Sequence, residues 1–252
     1  MNIWQALILG ALQGLTEFLP VSSSGHLALA QNWFGLTEPL LAFDVFLHGV
    51  SLIAIIIFFF AELKKINFQQ LVVLGFGTLP AILVGFFFKD LLENLFHTPI
   101  LIGGALLITG INNLISHRLL QKNNEEKPVT IKQSLIIGLF QSLALIPGIS
   151  RSGTTLLGSL GQNLEKKQAF NFTFLLAVPA ILGALTLQIY ELLQGTVVIP
   201  QLSLLLVGGT ATLITSLASL GIMRKLIREA QFKPFGAYAL GLGFFVIITS
   251  LI

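Results

Sequence analysis

Two stretches of this chain spell the same element twice, and that repetition constrains the fold more than any other feature. Residues 13–26 read Q-G-L-T-E-F-L-P-V-S-S-S-G-H, and residues 141–153 read Q-S-L-A-L-I-P-G-I-S-R-S-G, in register at an offset of 128 without a gap. Gln13 falls on Gln141, Leu15 on Leu143, Ser22 on Ser150, Ser24 on Ser152 and Gly25 on Gly153. Glu17 stands against Leu145 and Ser23 against Arg151, so one copy has turned acidic and the other basic. Phe43-Asp44 against Phe170-Asn171 continues the correspondence at an offset of 127, as one deletion would leave it. The chain therefore reads as two related halves, about 1–120 and 131–252. A linker over about 121–130, with Asn123, Asn124, Glu125 and Glu126, joins them.

The surroundings of the two stretches are apolar. Of 252 residues 54% are hydrophobic and 10% charged, where a soluble domain carries about 25% charged residues. The composition places the chain in a bilayer as a single membrane domain, with no separate soluble domain. Its first 20 residues lack the basic n-region and small-residue cleavage site of a signal peptide, and are expected to belong to the mature protein. The absence of cysteine excludes disulfides and thiolate metal sites. A net charge of +3 is no nucleic-acid signal, because the basic residues sit in short loops between apolar runs.

Six apolar runs, about 40–62, 68–90, 99–120, 167–194, 199–224 and 235–252, reach the roughly 20 residues a spanning helix needs. Residues 3–34 and 131–163 differ. Each holds an apolar run, a Pro-containing break rich in Ser and Gly, and a shorter apolar run. Irregular backbone survives at membrane depth only inside protein or beside a water-filled cavity, so both regions are predicted to be re-entrant helix–break–helix hairpins. The basic residues support that count. With hairpins that return to their own side, one face collects twelve of the 14 Lys and Arg residues, from Lys64 and Lys65 to Arg228 and Lys233. The other face receives Lys89, and Arg151 lies in a break. Such a bias marks the crowded face as cytoplasmic and leaves both termini outside. The expected fold is an all-α membrane protein of six transmembrane helices plus two re-entrant hairpins. Three crossings per half is an odd number, so the second half is inserted upside down. The hairpin tips then meet near the midplane, as in inverted-topology repeats.

At the tips the residue types suggest chemistry. An ionisable residue at the bilayer centre costs about 2.5–3.5 kcal/mol, and Glu17 opposite Arg151 offsets part of that. A structural ion pair alone explains neither the hydroxyls nor His26. Short helices are predicted to begin near Ser24 and near Ser152. Serines there serve as N-caps, while helix starts also offer free N–H groups and a positive dipole end to an anion. With the planar donor fork of Arg151 between them, two such starts suit a phosphate or diphosphate. Gln13, Ser22, Ser24, Gly25, Ser150, Ser152, Gly153, Thr154 and Thr155 are the expected substrate contacts. Ser23 is the candidate nucleophile, and His26, three residues on, is within plausible reach as general base or acid. Glu17 has three open roles: to orient His26, to hold a divalent cation with Gln13, or to protonate a leaving group. Asp44 and His48, an i, i+4 pair, are either interfacial polarity or a supporting shell or metal ligands near the outer mouth. His97 and His117 read as solvated loop residues, and the runs Phe58–Phe60 and Phe86–Phe88 as lipid-facing or core surface.

These residues resemble a known family. Q-G-L-T-E-F-L-P-V-S-S-S-G-H at 13–26 and P-G-I-S-R-S-G-T-T at 147–155 are similar to the two signature motifs of the undecaprenyl-diphosphate phosphatases, the bacitracin-resistance family of integral membrane proteins. The resemblance implies hydrolysis of undecaprenyl diphosphate to the monophosphate and inorganic phosphate. That reaction recycles the lipid carrier of cell-wall synthesis and confers bacitracin resistance. The resemblance also implies a bacterial inner-membrane location, a site open to the outer face and a divalent cation, Mg or Ca. The partners expected are a polyprenyl diphosphate and membrane lipids, with a homodimer left open. By the same resemblance Ser23 is the nucleophile and Arg151 the phosphate-binding arginine. Outside the motifs the chain departs from the family: Gly49-Val50-Ser51 stands where relatives often read L-G-T. The competing class is a lipid-phosphate flippase or transporter, since inverted repeats with broken helices suit alternating access. A pure carrier has no use for the nucleophile-and-base chemistry of S-S-S-G-H.

Overall fold

The computed structural model describes residues 1–36, 40–88, 91, 92, 95, 98–122, 126–194 and 200–251. Among them the regular structure is entirely helical: α1 (Ile3–Phe18), α2 (Ser23–Trp33), α3 (Leu41–Phe58), α4 (Phe60–Leu63), α5 (Phe68–Phe87), α6 (Pro99–Leu119), α7 (Ile131–Leu143), α8 (Arg151–Gly161), α9 (Lys166–Gln194), α10 (Leu202–Arg228) and α11 (Lys233–Leu251). Lys89, His97, Asn123, Asn124 and Glu125 lie outside the described residues.

Local sequence starts and stops the key helices in matching ways. Asn2 and Gln5 form a reciprocal capping box at the start of α1, and Thr130 and Gln133 form the same box at α7, again 128 residues on. α1 ends at Phe18 because the residue before a proline is pushed out of the helical region; Leu19 is extended, with φ −70° and ψ 149°. α7 ends instead in three tight turns, Ala144 N–H to Gln141 O, Leu145 to Ser142 and Ile146 to Leu143, before Pro147 and Gly148. The helices either side of the breaks have 16 and 11 residues in the first half, and 13 and 11 in the second. At about 1.5 Å per residue none of them reaches across a hydrocarbon core of about 30 Å.

Among the described residues five helices are long and apolar enough to cross a membrane: 68–87, 99–119, 166–190, 202–228 and 233–251. The run expected over 40–62 is divided at Phe59 into an 18-residue helix and the single turn α4. The helical ladder passes through the division, since Phe59 N–H bonds Ile55 O and Leu63 N–H bonds Phe59 O. Buried Phe59 packs in an aromatic cluster with Phe58, Phe170 and Phe174, which Phe18 joins edge-on. Phe86, Phe87 and Phe88 are exposed.

Helix pairing repeats between the halves. α1 packs on α10 as α7 packs on α5, α3 on α10 as α9 on α5, and α3 meets α9 as α6 meets α11. The tightest approach recurs too. A Cβ on Gly10 would sit 2.2 Å from Gly208 O, and one on Gly138 would sit 2.1 Å from Gly77 O. Hydroxyls stitch the same seams: Thr212 Oγ1 donates to Gly10 O at 2.9 Å, Ser219 Oγ to Gly14 O at 2.7 Å and Ser134 Oγ to Val73 O at 2.5 Å. Small residues and interhelical hydroxyl bonds are how helices associate where lipid removes the hydrophobic drive.

The basic helix ends gather together. Arg224 lies 5.0 Å over the Phe58 ring, joining the end of α10 to the end of α3. Gln133 Nε2 donates to Gln162 O, joining the start of α7 to the turn before α9. His117, expected as a solvated loop residue, instead sits in the last turn of α6, where Nδ1 donates to Ala230 O at 2.7 Å. It ties α6 to the turn between α10 and α11.

Candidate active site at the two helix breaks

The two breaks hold each other. Ser152 Oγ donates to Leu19 O at 3.1 Å, Gly148 N–H donates to Ser24 Oγ at 3.4 Å, and Asn113 Nδ2 donates to Pro20 O at 2.6 Å. Thr109 Oγ1 donates to Gly148 O and accepts from Ser150 N–H, so α6 props both breaks with Thr109 and Asn113. The backbones come close where the repeat places glycine. A Cβ on Gly25 would stand 3.2 Å from Gly148 Cα, and one on Gly153 would stand 3.2 Å from Pro20 Cβ. Gly148 has φ +97° and Ser22 has φ +73°. For Ser22 that left-handed backbone carries strain, sustained by these contacts on both sides of the break.

Caps at the two short helices repeat atom for atom. Ser22 Oγ accepts from Gly25 N–H at 3.3 Å and lies 3.3 Å from Ser24 Oγ; Ser150 Oγ accepts from Gly153 N–H at 3.2 Å and lies 3.2 Å from Ser152 Oγ. Among the described residues no hydrogen bond uses the N–H groups of Ser23, Ser24, Arg151 or Ser152. These are the orphan donors of two helix N-termini.

The reactive groups gather on Glu17, which is 7% exposed. One carboxylate oxygen pairs with Arg151 Nη2. The other accepts from Ser23 Oγ at 2.6 Å and from Gln13 Nε2 at 3.2 Å, with His48 Nε2 3.8 Å away. Gln13 Nε2 also reaches Ser51 Oγ at 3.4 Å. Among the buried atoms of the described residues that have no protein partner are Arg151 Nη1, Gln13 Oε1 and Thr155 Oγ1. Buried polar atoms are nearly always bonded, so an unpartnered guanidinium nitrogen beside a carboxylate and a serine leaves a donor for a ligand.

The structure thus sorts the residues singled out in the sequence. It brings Gln13, Glu17, Ser23 and Arg151 together, with His48 at the edge. Ser22, Ser24, Gly25, Ser150, Ser152 and Gly153 cap the short helices and lock the breaks, while Thr154 accepts from Asn112 Nδ2 at 3.1 Å. His26 makes no bond to Ser23 or Glu17. Its Nδ1 donates to Ser22 O at 2.7 Å, and Nε2 meets Tyr238 Oη at 2.8 Å. Asp44 accepts through both oxygens from Gln31 Nε2 at 2.9 Å, and its main-chain O accepts from His48 Nδ1. The Asp44 carboxylate thus bonds Gln31, and only its main-chain oxygen meets His48. Ser51, Tyr238, Thr109, Asn112 and Asn113 were not singled out. The asparagine pair carried a usable signal, since strongly polar side chains inside an apolar span mark functional positions.

For a divalent cation, no group of three His, Cys, Asp or Glu residues among the described ones is disposed to bind a metal. An oxygen set is nonetheless present in Glu17 and the unpartnered Gln13 Oε1. Mg sites of one carboxylate completed by substrate phosphate oxygens follow a related pattern; here Gln13 turns Nε2, not Oε1, toward Glu17, so a cation between them would require the amide to turn over.

Fold and site together define a class: an all-helical integral membrane protein whose two broken helices join a buried ion pair to a serine hydroxyl. The chain belongs to the family of the bacitracin resistance protein BacA, whose family model it matches over residues 6–245. Similar proteins include undecaprenyl-diphosphatase 3 of Bacillus cereus, 38% identical over 256 residues covering 99% of this chain and 98% of that protein. The undecaprenyl-diphosphatase of Carboxydothermus hydrogenoformans is 36% identical over 256 residues, covering 99% and 98%. That of Desulforapulum autotrophicum is 34% identical over 280 residues, covering 100% of both chains.

Proposed function

We propose that this chain hydrolyses undecaprenyl diphosphate to undecaprenyl phosphate and inorganic phosphate, returning the lipid carrier to cell-wall synthesis and conferring bacitracin resistance. The observation that carries the reading is the bond from Ser23 Oγ to Glu17 at 2.6 Å, beside an Arg151 whose Nη1 has no partner. A hydroxyl needs an adjacent base to act as nucleophile, and on this reading Glu17, which accepts the Ser23 bond, is that base. The diphosphate seats its terminal phosphoryl group against Arg151 and the free N–H groups of the two short helices. Ser23 Oγ attacks phosphorus as Glu17 takes its proton, and the P–O bond to the prenyl monophosphate breaks. Water then attacks the phosphoserine and restores the Ser23 hydroxyl. His26, with Nδ1 on Ser22 O and Nε2 on Tyr238 Oη, is not free to take the proton of that water, which leaves to solvent. A divalent cation, Mg or Ca, would be held by Glu17 and, with its amide turned over, Gln13 Oε1, and would supply charge neutralisation for the phosphoryl oxygens.

The membrane setting follows the same line. The short helices either side of each break fit half-crossing hairpins, and the mirrored helix pairing fits an inverted-topology repeat with halves about 1–120 and 131–252. The clustered basic helix ends fit a cytoplasmic face. On that reading both termini and the mouth of the site lie on the outer side. Purified protein should release phosphate from a prenyl diphosphate, lose that activity to a chelator and regain it with Mg or Ca. Ser23→Ala should abolish both turnover and the trapping of labelled phosphate on the protein. Full turnover by Ser23→Ala would end the covalent reading, and no release by the wild-type chain would end the proposal.

A further inference from the structure

Both helix starts of the site are fastened to one helix that lies outside the repeated stretches. α6 carries Thr109, Asn112 and Asn113, the first and last one turn apart on a shared face. Asn113 Nδ2 donates to Pro20 O at 2.6 Å, three residues before Ser23. Thr109 Oγ1 donates to Gly148 O at 2.8 Å and accepts from Ser150 N–H at 2.9 Å, next to Arg151. Asn112 Nδ2 donates to Thr154 Oγ1 at 3.1 Å, in the turn that Arg151 begins. The direct bonds between the breaks, Ser152 Oγ to Leu19 O at 3.1 Å and Gly148 N–H to Ser24 Oγ at 3.4 Å, are longer than those of Thr109 and Asn113. The Glu17–Arg151 pair does not fix the backbone spacing, because a long arginine side chain follows a shifted helix start. α6 is itself a firm support. It packs on α11 so closely that a Cβ on Gly103 would sit 3.0 Å from Gly243 O, and one on Gly110 would sit 2.9 Å from Gly236 O. Stability alone accounts poorly for Asn113. Among the described residues its Oδ1 is buried without a partner, and an unpaired buried acceptor costs free energy. Gly153 makes room for that amide, since a Cβ there would stand 3.1 Å from Oδ1.

We propose that Thr109 and Asn113 are positioning residues: they set the spacing of the two short-helix starts, at which one phosphoryl group meets the N–H groups of Ser23 and Ser24 together with those of Arg151 and Ser152. The inference rests on the phosphatase reading above, and it gives α6 a part in the reaction without contact to substrate. Thr109→Val removes the hydroxyl at nearly constant shape, and Asn113→Leu removes the amide. With purified protein and a prenyl diphosphate, each should lower kcat by about 10- to 100-fold, since a misplacement of about 1 Å can cost 10²-fold, and KM should change less. Thr109→Ser keeps both bonds and should match the wild type. The spacing has its own readout. Spin labels at Trp33→Cys and Gly161→Cys, exposed positions at the far ends of α2 and α8, are the only thiols of a chain that has no cysteine. Their distance distribution, measured by pulsed electron paramagnetic resonance without substrate, should shift or broaden in Thr109→Val and Asn113→Leu and stay sharp in Thr109→Ser. A variant that is merely less stable keeps the wild-type distance in its folded fraction. Thr109→Val carries the test if Asn113→Leu does not accumulate. If the wild-type chain turns over and Thr109→Val keeps its kcat, or loses it with the label distance unmoved, the inference alone falls. It falls also if Thr109→Ser is as slow as Thr109→Val. If the wild-type chain releases no phosphate, the phosphatase reading has failed and the inference goes with it.

Discussion

Glu17→Gln is the substitution that separates the work of the buried pair from its mere presence. The amide matches the carboxylate in size, so packing is kept while three partners lose their anion: Arg151, Ser23 and Gln13. Arg151 has a side chain 15% exposed and Glu17 one 6% exposed, so the guanidinium is left without a counter-charge in a nearly dry site. Breaking a buried pair from one side costs about 3–5 kcal/mol, and thermal unfolding in detergent should register that loss. Turnover should suffer separately. Removing a general base lowers rates by about 10²–10⁴-fold, so phosphate release at saturating prenyl diphosphate should drop within that range. The double variant Glu17→Leu with Arg151→Met isolates the two effects. Replacing both charges by apolar groups is often neutral or stabilising, so the double should be at least as stable as either single and still inactive. Glu17→Gln with turnover within about tenfold of wild type would be too active for a lost general base, and would refute the assignment of Glu17 to Ser23.

Three further outcomes are expected. Arg151→Lys keeps the charge but loses the fork that lets one nitrogen hold Glu17 while another meets phosphate, so kcat/KM should fall more than in Ser24→Ala, where the lost hydroxyl only braces the opposite break. Gly138→Ala drives a methyl to 2.1 Å from Gly77 O, and overpacking costs about 1–3 kcal/mol; Gly104→Ala, with nothing within 4 Å, should leave the thermal midpoint unchanged. The chain has no cysteine, so single cysteines report sidedness cleanly. Trp4→Cys should react with a membrane-impermeant maleimide in intact cells and Lys65→Cys only after lysis, whereas the reverse pattern would invert the proposed topology.

Much of the site was legible because polar residues in an apolar chain are conspicuous. Glu17 and Arg151 pair with each other, as opposite charges buried in so apolar a chain do, and the repeat had already put them on equivalent elements. The glycines and serines of the breaks were legible as a group, but their individual duties were not. Gly25 and Gly153 proved to be points of backbone approach, and Ser24 and Ser152 proved to be braces across the two breaks.

From the amino-acid order alone came the membrane class, the repeated stretch, the Pro and Gly breaks, and the acid and base beside them. Each depends on composition, period or spacing along the chain, which are local properties. Packing decided the rest. Which base meets Ser23 depends on where the Leu19–Ser22 break points the serine, and it points to Glu17 instead of the imidazole three residues on. Ser51 and Tyr238 reach the site from α3 and α11, 38 and 212 residues from their partners Gln13 and His26. Side chains so far apart in the chain become neighbours only when helices pack, because contact depends on which face each helix turns inward and that is settled by all of its neighbours at once.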